Sequence, residues 1–258
     1  MSQSPEYRRI LHRMGYYNYQ HGLIHRHLNQ NSGWDDHLKR CREFILKAAD
    51  IVKPEKISVL GSGWLMELPL AELSERTRQI TLYDIVHPPE VIEQTAQIGN
   101  VKLLESDLSG GLIAEVWSKA GGMRFFNRLK SLEDINIPEF IPADDPGMII
   151  SLNLLTQLEI LPEKLLRKKI SACNDKFMTF RKRVQENHIA FLKKHTSVII
   201  SDVAEILIDA DGTSHENQTL LTSLPEGRIR ESWIWDFDLA HADYIQRKSQ
   251  FRVAAALI

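Results

Sequence analysis

A β-branched apolar run, Ile57-Ser58-Val59-Leu60, ends abruptly in Gly61-Ser62-Gly63, and the helix-competent segment Trp64-Leu65-Met66-Glu67 follows. Glycine has no Cβ, so the backbone can turn sharply there and a ligand can come close. A helix entered from such a turn aims unpaired N–H groups and a partial positive charge back at the same spot. Together these make a cradle for a nucleotide-like ligand at the carboxyl end of a parallel strand.

A chain of 258 residues buries roughly three quarters of its unfolded surface, so its core needs neither a disulfide nor a metal. The formal net charge of −2 gives no global pull toward nucleic acid or anionic lipid. Cys41 and Cys173 lie far apart, which suits two incidental thiols in a reducing compartment better than a disulfide framework. The start, Ser2-Gln3-Ser4-Pro5-Glu6, lacks the apolar stretch of a secretory signal. No apolar run approaches the roughly 20 residues of a membrane helix. The expected address is the cytoplasm.

Residues 1–53 read as a helical cap belonging to the same domain as the rest. Tyr7, Ile10, Leu11, Met14 and Tyr17 follow helical spacing. After a break at Asn31-Ser32-Gly33, a second stripe runs through Leu38, Cys41, Phe44, Ile45 and Ala48, with Asp35 or Asp36 as its expected N-cap. From residue 54 onward strands and helices alternate. Strands are expected at 57–60, 80–83, 101–104, 148–152 and 198–201, and helices at 69–76, 88–98, 112–120 and through much of 155–195. Residues 121–146 read as irregular, with an acidic, proline-punctuated run that is either a lid or an exposed loop. Short continuous apolar strands between helices argue for a parallel sheet covered on both faces. Two late strands, 232–237 and 251–258, fit an antiparallel edge joined by a polar connection.

In such a sheet the ligand sits outside the carboxyl ends of the strands, where strand order reverses. The first strand presents Gly61-Ser62-Gly63 there, the second Asp84, the third Ser106-Asp107 and the fourth Asn153. Asp84 is placed to accept hydrogen bonds from a ribose diol. Asp107 suits an exocyclic adenine amine, and Asn153 offers a donor and an acceptor on one planar group. The set points to a nucleoside.

On Val59-Leu60-Gly61-Ser62-Gly63, Leu82-Tyr83-Asp84, Glu105-Ser106-Asp107 and Ile149-Ile150-Ser151-Leu152-Asn153-Leu154-Leu155, residues 55–258 resemble the class I S-adenosylmethionine (SAM)-dependent methyltransferases. The resemblance implies an α/β, Rossmann-like three-layer sandwich. Its sheet is mostly parallel and seven-stranded with an antiparallel last strand, here preceded by the helical cap. It implies SAM as the cofactor, with Gly61, Ser62, Gly63, Trp64, Asp84, Ile85, Ser106, Asp107, Leu108, Asn153 and Leu154 around it, and methyl transfer to a small molecule. Two departures stand out. Val59 holds the position where the family often has an acid, and Trp64-Leu65 stand where it often has a third glycine. The loop Gly61-Ser62-Gly63-Trp64-Leu65 is also similar to that of nicotianamine synthases, which bind SAM but transfer its aminobutyl arm. Aminobutyl transfer and a non-catalytic nucleotide-binding scaffold are therefore the alternatives to methyl transfer.

In-line transfer from a sulfonium needs alignment more than a strong acid or base, so no catalytic residue is assigned. Tyr17, Tyr19 and His25 are candidate acceptor contacts at the rim, with aromatic core packing as the alternative. His21, His25 and His27 lack a supporting metal pattern, so no metal is expected. His188 falls on an apolar stripe and reads as a core histidine. Asp209-Ala210-Asp211-Gly212 reads as a hairpin turn. The basic residues Arg167-Lys168-Lys169, Arg181-Lys182-Arg183 and Lys193-Lys194 read as a solvated helix face, and nucleic acid is not the expected partner. Residue types leave the oligomeric state open.

Overall fold

A computed structural model describes residues 3–30, 32–121, 129–239 and 247–258 of the chain. Asn31 of the expected break, part of the 121–146 segment and most of the connection before the last strand lie outside the described residues. Three helices lead, α1 (Pro5–Met14), α2 (Tyr16–Asn29) and α3 (Asp35–Val52). The alternation follows: β1 (Lys56–Leu60), α4 (Leu70–Arg76), β2 (Gln79–Asp84), α5 (Pro89–Thr95), β3 (Val101–Glu105), α6 (Leu112–Ala120), β4 (Met148–Leu152), α7 (Ile160–Arg167) and α8 (Asn174–Leu192). The chain ends in four strands, β5 (Ser197–Ile208), β6 (Ser214–Gln218), β7 (Ile229–Asp238) and β8 (Lys248–Leu257).

The sheet order is β3-β2-β1-β4-β5-β8-β7, and of this path only β8 runs antiparallel. This is the Rossmann-like sandwich expected, with one addition. β6 forms an eighth strand, paired antiparallel with the far half of β5 through the turn at Asp209 to Gly212. β5 therefore runs past the expected end at residue 201. Its first half, residues 197–202, is buried throughout. In its second half only Ala204 and Leu207 are buried, because there it is flanked by β6 and β8 outside the core.

Successive residues of the central strands feed two cores, as the period of two requires. Ile57, Val59, Ile150 and Val198 meet α3 and α4 on one face. Leu60, Ile149 and Ile199 meet α6 and α8 on the other. The α8 stripe Phe177, Phe180, Val184, His188 and Phe191 is buried, and His188 Nε2 lies 2.9 Å from the Ser151 hydroxyl.

The cap divides in two. α3 is built into the sandwich through Leu38, Cys41, Phe44, Ile45 and Ala48. α1 and α2 instead lie across the strand tips: Gln3 Nε2 donates to the Ile85 carbonyl (2.7 Å) and Gln20 Nε2 to the Val86 carbonyl (3.3 Å). The expected cap of α3 is corrected. Trp34 takes the N-cap position with no side-chain cap bond, because its indole is buried and donates to the Phe237 carbonyl (3.0 Å). Asp35 and Asp36 fall in the first turn. Among the described residues no helix is long and apolar enough to cross a membrane.

Candidate functional site

The connection from β1 leads to β2 on one side, whereas β4 lies on the other, so strand order reverses between β1 and β4. A cleft opens above that point, with about 1030 Å³ of empty space counting its solvent-facing mouth. Gly61, Gly63, Trp64, Asp84, Ile85, Asp107, Leu108, Asn153 and Leu154 all line it. Ser62 and Ser106 do not line it and act from behind. Their N–H groups donate to the carbonyls of Tyr83 (3.2 Å) and Asp84 (2.8 Å).

The glycine loop is tighter than a strand-to-helix turn. Gly61 and Gly63 have φ of +78° and +52°, and Leu65 follows at +62°. The helix does not start at the loop. α4 begins only at Leu70, so the expected helix-terminal contribution to the cradle is absent at the glycines. The loop N–H groups are instead taken within the protein: Gly61 donates to the Tyr83 carbonyl (3.0 Å) and Gly63 to Asp84 Oδ2 (2.7 Å). A Cβ on Gly61 would sit 3.0 Å from the Leu152 carbonyl oxygen, whereas one on Gly63 would meet nothing within 4 Å. Gly61 is thus needed for packing on β4, and Gly63 leaves its backbone open.

Asp84 is buried, which raises its pKa, and N–H donors from Gly63 and Ile85 together with nearby His87 work the other way. Oδ2 holds the Gly63 donor and Oδ1 the Ile85 donor, the Val86 N–H also bonds the carboxylate, and acceptor capacity remains for one more hydrogen. Asp107 is more fully engaged. Oδ1 accepts from the Ser109 N–H (3.0 Å) and hydroxyl, and Oδ2 from the Tyr7 hydroxyl (3.1 Å) and the Ile113 N–H (3.4 Å). Burial again raises the Asp107 pKa, and beside it burial and the Asp107 charge raise that of Tyr7.

α2 covers the cleft with Tyr16, Tyr19, Gln20 and Leu23. It is tied to the loop by the Trp64 indole N–H, which donates to the Gln20 carbonyl (3.0 Å). Tyr17 and His25 do not line the cleft; Tyr17 packs beside His12 in the small core of α1. His21 meets the Trp64 ring edge-on and His27 lies tilted against Trp34, and among the described residues no three metal-ligating side chains come together.

The far end of the cleft was not anticipated. Trp34, Met66, Glu67 and Trp235 line it on the α3 and β7 side, and Gln157 and Leu161 line the cleft from the segment after β4. Trp34 and Trp235 come from the α3 entry and from β7, so only the tertiary fold brings them together. The His37 ring lies parallel to Trp235, with centroids 3.9 Å apart, and burial holds its pKa down at about 3, so it is neutral. The Trp233 indole N–H donates to His37 Nδ1 (3.1 Å), which leaves the ring hydrogen on Nε2. Asn153 Nδ2 stands 3.2 Å from that Nε2 and 3.4 Å from Glu67 Oε1. Two donors cannot face one neutral imidazole, and of the two only the amide can exchange its ends. With the Asn153 oxygen toward Nε2–H, Glu67 Oε1 faces an acceptor and has no fixed donor there. Burial raises the Glu67 pKa, and its own backbone N–H and the nearby Arg42 charge work the other way.

Charge distribution is one-sided. Glu67, Asp84 and Asp107 line the cleft, and among the described residues no lysine or arginine does. The basic helix residues are spent elsewhere. Arg167 pairs with Glu163, Arg181 with Glu159, Lys182 with Glu186 and Lys194 with Glu139, while Arg183 donates to the Leu132 and Ile135 carbonyls. The described part of 121–146 is pinned to α8 through Arg183, Asn187 and the Phe140–Phe191 contact, and none of its described residues lines the cleft.

No family model matches the chain, and no curated protein does. Solved structures with partial likeness include DhpI bound to S-adenosylhomocysteine (SAH), at 11% identity, TM-score 0.39, covering 95% of this chain and 96% of that one. Another is the 1,6-didemethyltoxoflavin-N1-methyltransferase of Burkholderia thailandensis, at 11% identity, TM-score 0.44, covering 100% and 92%. A third is the methyltransferase domain of a bacterial CtHen1, at 10% identity, TM-score 0.36, covering 88% and 99%. Likeness at this level assigns no ligand to this chain, whose fold is read from its own strand order.

Proposed function

We propose that this chain binds SAM in the cleft and transfers its methyl group to a small-molecule acceptor. The supporting observation is the convergence of Gly61, Gly63, Asp84, Asp107 and Asn153, from four strand tips, on one cleft at the reversal of strand order. The site also fits the group physically. Gly63 leaves its backbone open to approach. An acidic lining suits a sulfonium cation.

In this reading Asp84 keeps acceptor capacity for the ribose diol, and Leu108 and Ile113 flank the base. An adenine amine reaches Asp107 Oδ2 where the Tyr7 hydroxyl now sits. Residues 54–258 form the cofactor-binding domain, and 1–53 its helical cap. Bound there, the sulfonium supplies an activated methyl group, and alignment by the protein can lower the barrier by up to about 7–11 kcal/mol. Paired basic residues and an acidic cleft favour a small molecule over nucleic acid as acceptor.

The test is to incubate the protein with SAM and a broad acceptor panel and identify the sulfur product. SAH is expected. Methylthioadenosine would point instead to aminobutyl transfer, and neither product to a scaffold.

A further inference from the structure

Resting on the SAM reading, the far end of the cleft defines what the acceptor is. With the cofactor over Gly61, Asp84 and Asp107, the lining left on the α3 and β7 side is Trp34, Met66, Glu67 and Trp235. Two indoles and the Met66 thioether make that wall apolar and aromatic, which suits a flat ring. Its one carboxyl, Glu67, is a partly buried acceptor whose neighbour, the Asn153 amide, turns an oxygen toward it once His37 Nε2–H is satisfied. The nearest ring nitrogen, His37 Nε2, is 4.0 Å away, too far for a hydrogen bond. Its own backbone N–H is then the donor that remains to the Glu67 carboxyl, so an oxygen facing the cleft is open to accept, and a bound N–H supplies that partner. No lysine or arginine among the described lining residues could receive an anion.

We propose that the acceptor is a ring-bearing amine, neutral or cationic, whose nitrogen donates a hydrogen to the Glu67 carboxyl over the Trp34 and Trp235 wall. Glu67 is then the residue that selects the acceptor, and anionic ring compounds are rejected.

The experiment uses full-length protein saturated with SAH and measures binding of matched probes: tryptamine and phenethylamine against indole-3-propionate and 3-phenylpropionate. The amines should bind about tenfold or more tighter than the carboxylates, the size of one charge-assisted hydrogen bond. Glu67→Gln should bring the two classes within about threefold while leaving SAH affinity unchanged. Glu67→Asp, which keeps the charge, should retain part of the preference and serves if Glu67→Gln fails to fold. Equal or tighter binding of the carboxylates, or no binding of any probe, overturns the proposal. So does a tenfold loss of SAH affinity in folded Glu67→Gln, which would put Glu67 on the cofactor. Failure of the wild-type protein to bind SAH would instead sink the underlying SAM reading.

Discussion

The backbone N–H of Gly63 donates to Asp84 Oδ2 at 2.7 Å, so the acid after β2 both holds the glycine loop and faces the cleft. Removing the carboxylate strips the loop of its latch and the ligand of a charged partner. Asp84→Ala should weaken SAH binding by about 1.5–3 kcal/mol, roughly ten- to a hundredfold. Calorimetry giving unchanged affinity would take Asp84 out of the site.

The two glycines should separate stability from binding. Both sit at positive φ, where alanine costs about 1–2 kcal/mol. Gly61→Ala also drives a methyl against the Leu152 carbonyl and Leu154, which should add about 1–3 kcal/mol. Gly63→Ala points its methyl into open space and should mainly lower ligand affinity. Equal losses of unfolding free energy and of SAH affinity in the two variants would contradict this division.

Tyr7 bonds α1 to Asp107 across the strand tips. Tyr7→Phe should cost about 1–2 kcal/mol of stability and speed hydrogen exchange in α1. It also frees an acceptor on Asp107, so SAH affinity should hold or rise. A drop in affinity would show that Tyr7 serves the ligand rather than the cap.

Glu159 is fully buried on α7's leading edge beside Arg181 (3.4 Å), and burial raises its pKa to about 7 from an ordinary 4.5. The folded state therefore holds the proton more tightly than the unfolded chain. Its contribution is fully present below about pH 4.5 and is lost as pH rises through about 7. Compared with Glu159→Gln, the wild type should lose on the order of 1–3 kcal/mol across that window. Denaturant unfolding curves that run parallel for the two proteins at every pH would refute this.

The near half of the site was legible because it follows from strand ends. Gly61, Asp84, Asp107 and Asn153 each stand at or just past the end of a strand, and the parallel direction of β1 to β4 puts those ends on one edge of the sheet. The far half was not. Trp34 and Trp235 are about two hundred residues apart and meet only because α3 packs beside β7. Glu67 fell in a segment read only as helix-competent, ahead of the helix that starts at Leu70, and nothing there marked it as a cleft residue. The engagement of Asp107 by Tyr7 was equally hidden, since it depends on how α1 docks. β5 was read too short because Asp202 and Glu205 interrupt the apolar run, although Asp202 is mid-strand and bonded to Thr156.

The most direct test is calorimetric titration of wild-type protein with SAH, repeated on Asp84→Ala. Saturable one-to-one binding that weakens at least tenfold in the variant is the expected result. The absence of saturable binding in the wild type would contradict the cleft's assignment as an adenosyl-sulfur site.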